Sequence, residues 1–264
     1  MKIAVTGASG LIGSTLVRRI GAIPLTHRDL DITDAASVRE VMSALRPDLV
    51  VNCAVIGVDE CERDPGLAEA VNVTGPSNLA RHAPSIIHFS TNYVLDPVNV
   101  YARTKLAGEE AVTSLNDRAL VIRTSWVFGR GKESFLSAVA AKLKRGERVS
   151  AITDTWASTT WVEDLVTRLA AMFGTTGVHA IVNEGVLSYE DFALEAARLV
   201  GADPSLIDRI TEAEMRRLAP RPRYTPMTSD PPMRPWQDAL AEYVQECGSL
   251  LPRPESRRSK LRPA

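Results

Sequence analysis

The chain has 264 residues, enough for one large α/β domain or for such a domain with a smaller subdomain. It is 45% hydrophobic and 24% charged with a formal net charge of -1, which disfavours nucleic acid and membrane surfaces as partners. Cys53, Cys61 and Cys247 form no CxxC pair, so neither a disulfide framework nor structural zinc is expected and a reducing cytoplasm fits.

Met1 to Val5 runs straight into a strand, so no signal peptide is expected. The longest apolar stretch, Leu49 to Val58, is broken by Asn52 and is too short to span a bilayer. Strand Lys2–Thr6 is followed by a glycine turn and a helix over Leu11–Ile20, then by a strand over Ile23–Thr26. Asp34 reads as the N-cap of a helix over Ala35–Leu45, and Pro47-Asp48 leads into strand Leu49–Asn52. A helix over Leu67–Ala80, a doubly buried strand over Ser85–Ser90, a helix over Val100–Leu115 and a strand over Ala119–Thr124 complete the first half. Alternation of this kind predicts βαβ units and a Rossmann-type, doubly wound parallel sheet.

The rhythm then loosens. Helices are expected over Glu133–Arg145, Val162–Phe173, Ser188–Val200 and Trp236–Cys247, with a strand over Val178–Asn183 and an irregular connection over Pro220–Pro235. The reading is a single unit over 1–251. About 1–130 plus 150–183 make the dinucleotide-binding core, and about 131–149 plus 184–251 a small interleaved substrate-side subdomain. Residues 252–264 carry Arg253, Arg257, Arg258, Lys260 and Arg262 among prolines and read as a solvated, poorly ordered tail.

Gly7-Ala8-Ser9-Gly10-Leu11-Ile12-Gly13 sits between strand and helix, the context in which such a turn binds a dinucleotide. Glycine makes the turn tight, lets the backbone approach a pyrophosphate, and lets the helix pack on the strand while its N-terminus faces the phosphates. After the second strand, Arg28 would accommodate a 2′-phosphate and favours NADP(H) over NAD(H), although Asp29 and Asp31 lie close by. Asp31-Ile32 is a candidate adenine-side contact, or else an ordinary cap.

Tyr101 and Lys105 stand at i and i+4, on one helix face. A phenol, with a pKa of about 10, is a poor acid at neutral pH, and a neighbouring cation draws that value down. Thr91 ends the preceding strand, where open α/β sheets bind ligands, and Ser90 is expected on the opposite face by alternation. His27, His82, His88 and His179 are scattered, without metal-ligand spacing, and read as ordinary polar residues; no metal is expected.

Together these residues resemble the extended short-chain dehydrogenase/reductases, and within them the dTDP-4-dehydrorhamnose reductase group. The likeness extends through Leu30-Asp31-Ile32-Thr33-Asp34, Pro47 to Ala54, Val58-Asp59-Glu60-Cys61-Glu62 and Ala70-Val71-Asn72. Its most specific parts are Ser90-Thr91-Asn92-Tyr93-Val94-Leu95-Asp96, Tyr101 to Glu109, and Arg123-Thr124-Ser125-Trp126-Val127-Phe128-Gly129. The resemblance implies Thr91, Tyr101 and Lys105 as the catalytic set. It implies cofactor contacts from Gly7, Gly10, Leu11, Ile12, Asp31, Ile32, Ala54 and Lys105, beside Arg28. It implies hydride transfer from NAD(P)H to the 4-keto group of a nucleotide-activated deoxysugar, with Tyr101 giving the proton. Val55, Asn92, Trp126, Trp161 and Arg221 are the substrate-side candidates.

The chain departs from the group at Asn92, where aspartate is usual, in the short Asn92–Val100 loop, and in the wording of Asp154–Trp161. These departures leave the ketone open. A nucleotide-sugar epimerase is the rival enzyme. A non-catalytic NAD(P)-binding regulatory subunit, like that of methionine adenosyltransferase, is the rival of another class. The expected partner is a small-molecule substrate, with a homodimer left open.

Overall fold

The computed structural model describes residues 1–131 and 134–248. The basic tail and Glu133, the first residue of one expected helix, lie outside the described residues.

Strands β1 (Ile3–Thr6), β2 (Ile23–Leu25), β3 (Leu49–Asn52), β4 (Ile86–Thr91), β5 (Ala119–Thr124) and β6 (Gly177–Ala180) form one sheet. Its order is β2-β1-β3-β4-β5-β6 and every pairing is parallel. The order reverses between β1 and β3, which opens a crevice at the carboxyl ends of those strands. The fold class is therefore the expected Rossmann-type α/β arrangement. Helix α1 (Leu11–Ile20) ends at Gly21, and helix α2 (Ala35–Leu45) starts at Asp34, whose carboxylate accepts from the Ala36 N–H at 2.9 Å.

Two apolar clusters cover the sheet. Val5, Leu16, Val51, Leu120, Ile122, Leu165 and Leu169 pack on one side, and Ala4, Val38, Val50, Leu79, Ile86 and Val112 on the other. A third cluster joins Phe128, from the strand Val127–Phe128, to Leu136, Leu143, Phe192, Trp236 and Leu240, drawn from the helices Phe135–Lys144, Tyr189–Val200 and Trp236–Gly248.

Two departures from expectation shape the site. The segment Val58–Arg63 is a short helix, and Pro65–His82 is helical throughout but widens into a π-helical turn at Ala70–Thr74. Asn72 lies in that turn, fully buried, and its side-chain amide donates to Thr104 Oγ1 at 3.0 Å. A Cβ on Gly108 would stand 2.1 Å from the Asn72 carbonyl oxygen, so only glycine lets the Val100–Leu115 helix approach this turn so closely. Glu109, 3% exposed, forms a bidentate ion pair with Arg123 and ties the same helix to β5. Pi-helical turns of this sort often mark functional sites. Here the turn buttresses the helix that carries Tyr101 and Lys105.

Candidate active site

The glycine turn builds the first wall of the site. Gly7 has φ +64°, and a Cβ there would lie 2.6 Å from the Cys53–Ala54 backbone. A Cβ on Gly13 would lie 2.4 Å from the Gly7 carbonyl oxygen, so glycine is required for α1 to pack down on the turn. The α1 N-terminus at Gly10 has no side-chain cap and no acidic residue in its first turn, while Arg18 and Arg19 sit at its far end. Its backbone N–H groups and positive dipole end suit an anion. In front of it runs a groove of about 300 Å³ lined by Gly10, Leu11, Ile12, Gly13, Cys53, Val55 and Val127.

That groove shares Ile12, Cys53, Val55 and Val127 with a second cavity of about 240 Å³. Ala54, Ser90, Thr91, Asn92, Tyr101, Lys105, Ser125 and Trp126 also line it. Thr91, at the end of β4, and Tyr101 and Lys105, on the helix that follows, thus converge on one space. Ser90 borders it too, against the alternation argument, because the cavity wraps the open carboxyl edge of the sheet.

Lys105 is 2% exposed; its Nζ donates to the Phe89 carbonyl at 2.6 Å and stands 3.2 Å from His88 Nε2. Burial lowers its pKa to about 8, opposed by Glu109. Tyr101 meets Tyr93 edge to face at 5.9 Å, and burial pushes its phenol up while a hydrogen bond with Thr91 pulls it down. A hydroxyl, a phenol and a titratable amine around one cavity are the groups that proton delivery to a reacting carbonyl needs.

The other expected residues divide. Val55 is half exposed and lines both cavities, and Ala54 lines the inner one. Trp126 adopts φ +37° and stacks on Tyr189 with ring centroids 4.0 Å apart. Asn92 is buried, its amide nitrogen donating to Thr225 Oγ1 at 2.6 Å and its oxygen accepting from Thr91. Three others stand away from the cavity. Trp161 is 3% exposed in the third apolar cluster, beneath Arg234, because the strand Thr160–Trp161 turns it inward. Arg221 is held bidentately by Asp59 at 3.0 Å to each oxygen, so it braces the wall without lining the cavity. Ile32 is buried against Gly75 in the core.

Near the second strand, the Asp29 carboxylate accepts from the Thr26 N–H and hydroxyl, and Asp31 does the same for Thr33. Both acids therefore close their own turns, with Arg28 exposed beside them. Ser125, which like Ser90 is a buried cavity-wall hydroxyl without a protein partner, escaped sequence reasoning, and His88, deep behind Lys105, read only as an ordinary polar residue. A lone serine or histidine in a strand carries no spacing signal.

A family profile described as the RmlD substrate binding domain matches residues 1–249. The chain belongs to that family. A dTDP-4-dehydrorhamnose reductase of Streptomyces griseus is 36% identical over 92% of the chain and 93% of the relative. A dTDP-4-keto-6-deoxy-D-glucose reductase of Streptomyces niveus is 34% identical over 90% and 94%. The crystal structure of a Bacillus anthracis dTDP-4-dehydrorhamnose reductase, in complex with NADP, superposes with a TM-score of 0.86 at 26% identity and covers 93% of this chain and all of that one. As a member of the RmlD family the chain is an NAD(P)H-dependent oxidoreductase. Among the described residues no helix is long and apolar enough to cross a membrane, and no cluster of three or more potential ligands could hold a metal.

Proposed function

We propose that this protein reduces the 4-keto group of a dTDP-activated deoxysugar with NADPH as hydride source. The carrying observation is the convergence of Thr91, Tyr101 and Lys105 on one cavity that opens into the glycine-turn groove. The relatives named as 4-keto-sugar reductases support the same substrate class.

The groove fits a dinucleotide. The uncapped α1 N-terminus and Gly10 would hold its diphosphate, Ile12 and Val127 would flank it, and Arg28 would meet a 2′-phosphate while Asp29 stays engaged with Thr26. When bound, the dinucleotide supplies the hydride. With the sugar in place the Thr91 hydroxyl turns from Asn92 Oδ1 to donate to the ketone oxygen and aligns it with Tyr101. Tyr101 delivers the proton that turns that oxygen into an alcohol. Lys105, protonated, draws the buried phenol toward its working range. Buried Phe89 closes the floor of the cavity, and holding both reactants in line supplies much of the acceleration. We assign the sugar side to Val55, Asn92 and Trp126, with about 131–149 and 184–251 as its subdomain and the remainder to 183 as the cofactor half. We place the enzyme in the cytoplasm.

Trp126 stacked on Tyr189 offers an aromatic face at the outer end of the cavity, suited to a nucleoside base or sugar ring. The test is NADPH and NADH oxidation against a panel of dTDP-4-keto-6-deoxysugars of different configuration. At least one sugar should be turned over, faster with NADPH. Tight NADPH binding without oxidation of any panel member would contradict the reductase reading and favour a regulatory subunit. Interconversion of sugar epimers without net oxidation of NADPH would favour the epimerase.

A further inference from the structure

Behind the cavity, four buried side chains form a continuous polar chain. Thr6 Oγ1 donates to Asn52 Oδ1 at 2.6 Å, and the Ala54 N–H donates to the same oxygen at 3.2 Å. Asn52 Nδ2 lies 3.0 Å from His88 Nδ1, and His88 Nε2 lies 3.2 Å from Lys105 Nζ. Lys105 Nζ then donates to the Phe89 carbonyl at 2.6 Å. None of the four is more than 2% exposed, so protein groups decide their protonation.

The donors and acceptors can be assigned in order. A backbone N–H only donates, so the Asn52 atom beside Ala54 is oxygen and the amide nitrogen faces His88. That nitrogen also only donates, so His88 Nδ1 presents a lone pair. A neutral imidazole with a bare Nδ1 carries its proton on Nε2, directed at Lys105. Two N–H donors cannot satisfy one another. The chain closes when Lys105 is an amine that accepts from His88 and donates to Phe89.

We propose that His88 is a positioning residue for Lys105: locked by Asn52 as its Nε2–H tautomer, it turns an N–H donor on Lys105 Nζ, opposes the charging of that amine and holds it against the Phe89 carbonyl. The inference rests on Lys105 belonging to the catalytic set. Other titratable groups facing Lys105 are Cys53 after β3, Cys61 on the Val58–Arg63 helix, and Tyr101 and Glu109 on its own helix. Of these the one carboxylate, Glu109, is engaged by Arg123. Burial and the neighbouring Lys105 together push His88 well below its ordinary value, which leaves it the neutral member of the pair.

The test is NMR of the cofactor-free protein with ¹⁵N-histidine and ¹³C-lysine, from about pH 6 to about pH 9. His88 is expected as a neutral Nε2–H imidazole throughout. His88→Gln, which offers Lys105 a carbonyl oxygen, should raise its proton affinity by about tenfold and also assigns the His88 signals. An Nδ1–H or cationic imidazole in the parent, or a Lys105 titration unchanged in His88→Gln, would overturn the proposal. Should that variant not fold, Asn52→Asp should invert the His88 tautomer, because its carboxylate can only accept. A retained Nε2–H would equally overturn the proposal. Expected NMR signatures without turnover of any ketone would count against the reductase reading and leave the tautomer lock standing.

Discussion

Residue by residue, the site is governed by groups buried in unfavourable charge states. His88 has a folded pKa well below its ordinary value of 6.5, so as pH falls through about 6.5 the unfolded chain gains a proton that the native state refuses. Stability is then lost with acidification, by up to about 1.4 kcal/mol for each tenfold rise in proton concentration. Lys105, lowered from 10.5 to about 8, gives the same sign in another window, stability rising as pH climbs between those values. Denaturant titrations of the parent and His88→Gln at about pH 5, 6 and 7 should show a shallower acid loss in the variant. Parallel losses would remove His88 from the account. Tyr101, Lys105 and Thr91 were legible from sequence because helical spacing and the end of a strand put them on one side. His88 was not, since a single polar residue in an apolar strand looks the same whether it faces a ligand, a partner or a void. The inward direction of Trp161 was not legible for a related reason: an aromatic beside a substrate-loop motif has no marker for the direction it faces.

Among the elements, the β1 turn and α1 form the piece whose geometry tolerates least. A Cβ on Gly13 would stand 2.4 Å from the Gly7 carbonyl, so Gly13→Ala must push the helix N-terminus off the turn. NADPH affinity should fall by about tenfold or more while the far-UV circular dichroism keeps its form, since the displaced N–H groups are those assigned to the diphosphate. Undiminished affinity would contradict that assignment. Strands β1 to β5 and helices α1 and α2 were readable to within a residue or so, since Gly and Asp punctuate them and the apolar periods are clean, while the expected Val178–Asn183 strand ends at Ala180. The π-helical turn at Ala70–Thr74 was not readable. It arises from tertiary fit to Gly108 and Thr104 on another helix, and no local pattern in Ala70–Thr74 encodes it.

At the scale of the molecule, the segment around Arg221 is strapped to the cofactor half. Arg221 pairs with Asp59, the Ala219 N–H donates to the same carboxylate, and Asn99 reaches the Pro220 carbonyl at 2.7 Å. Asp59→Ala leaves a largely buried guanidinium unpaired and should cost about 3 kcal/mol, read by denaturant unfolding. It should also raise the sugar KM more than the NADPH KM, because Thr225, four residues beyond Arg221, holds Asn92 on the cavity wall; equal effects on both would contradict this role. The long-range pairing lay beyond sequence reasoning, with Asp59 and Arg221 separated by most of the chain, though both belong to segments that resembled the family or were singled out as substrate-side. The central claim is that Tyr101 protonates a ketone reduced by NADPH, and steady-state kinetics of Tyr101→Phe on a dTDP-4-keto-6-deoxysugar turned over by the parent test it most directly. The account predicts that kcat falls by about 10²-fold or more with NADPH affinity retained; a variant that keeps the parental kcat would contradict it.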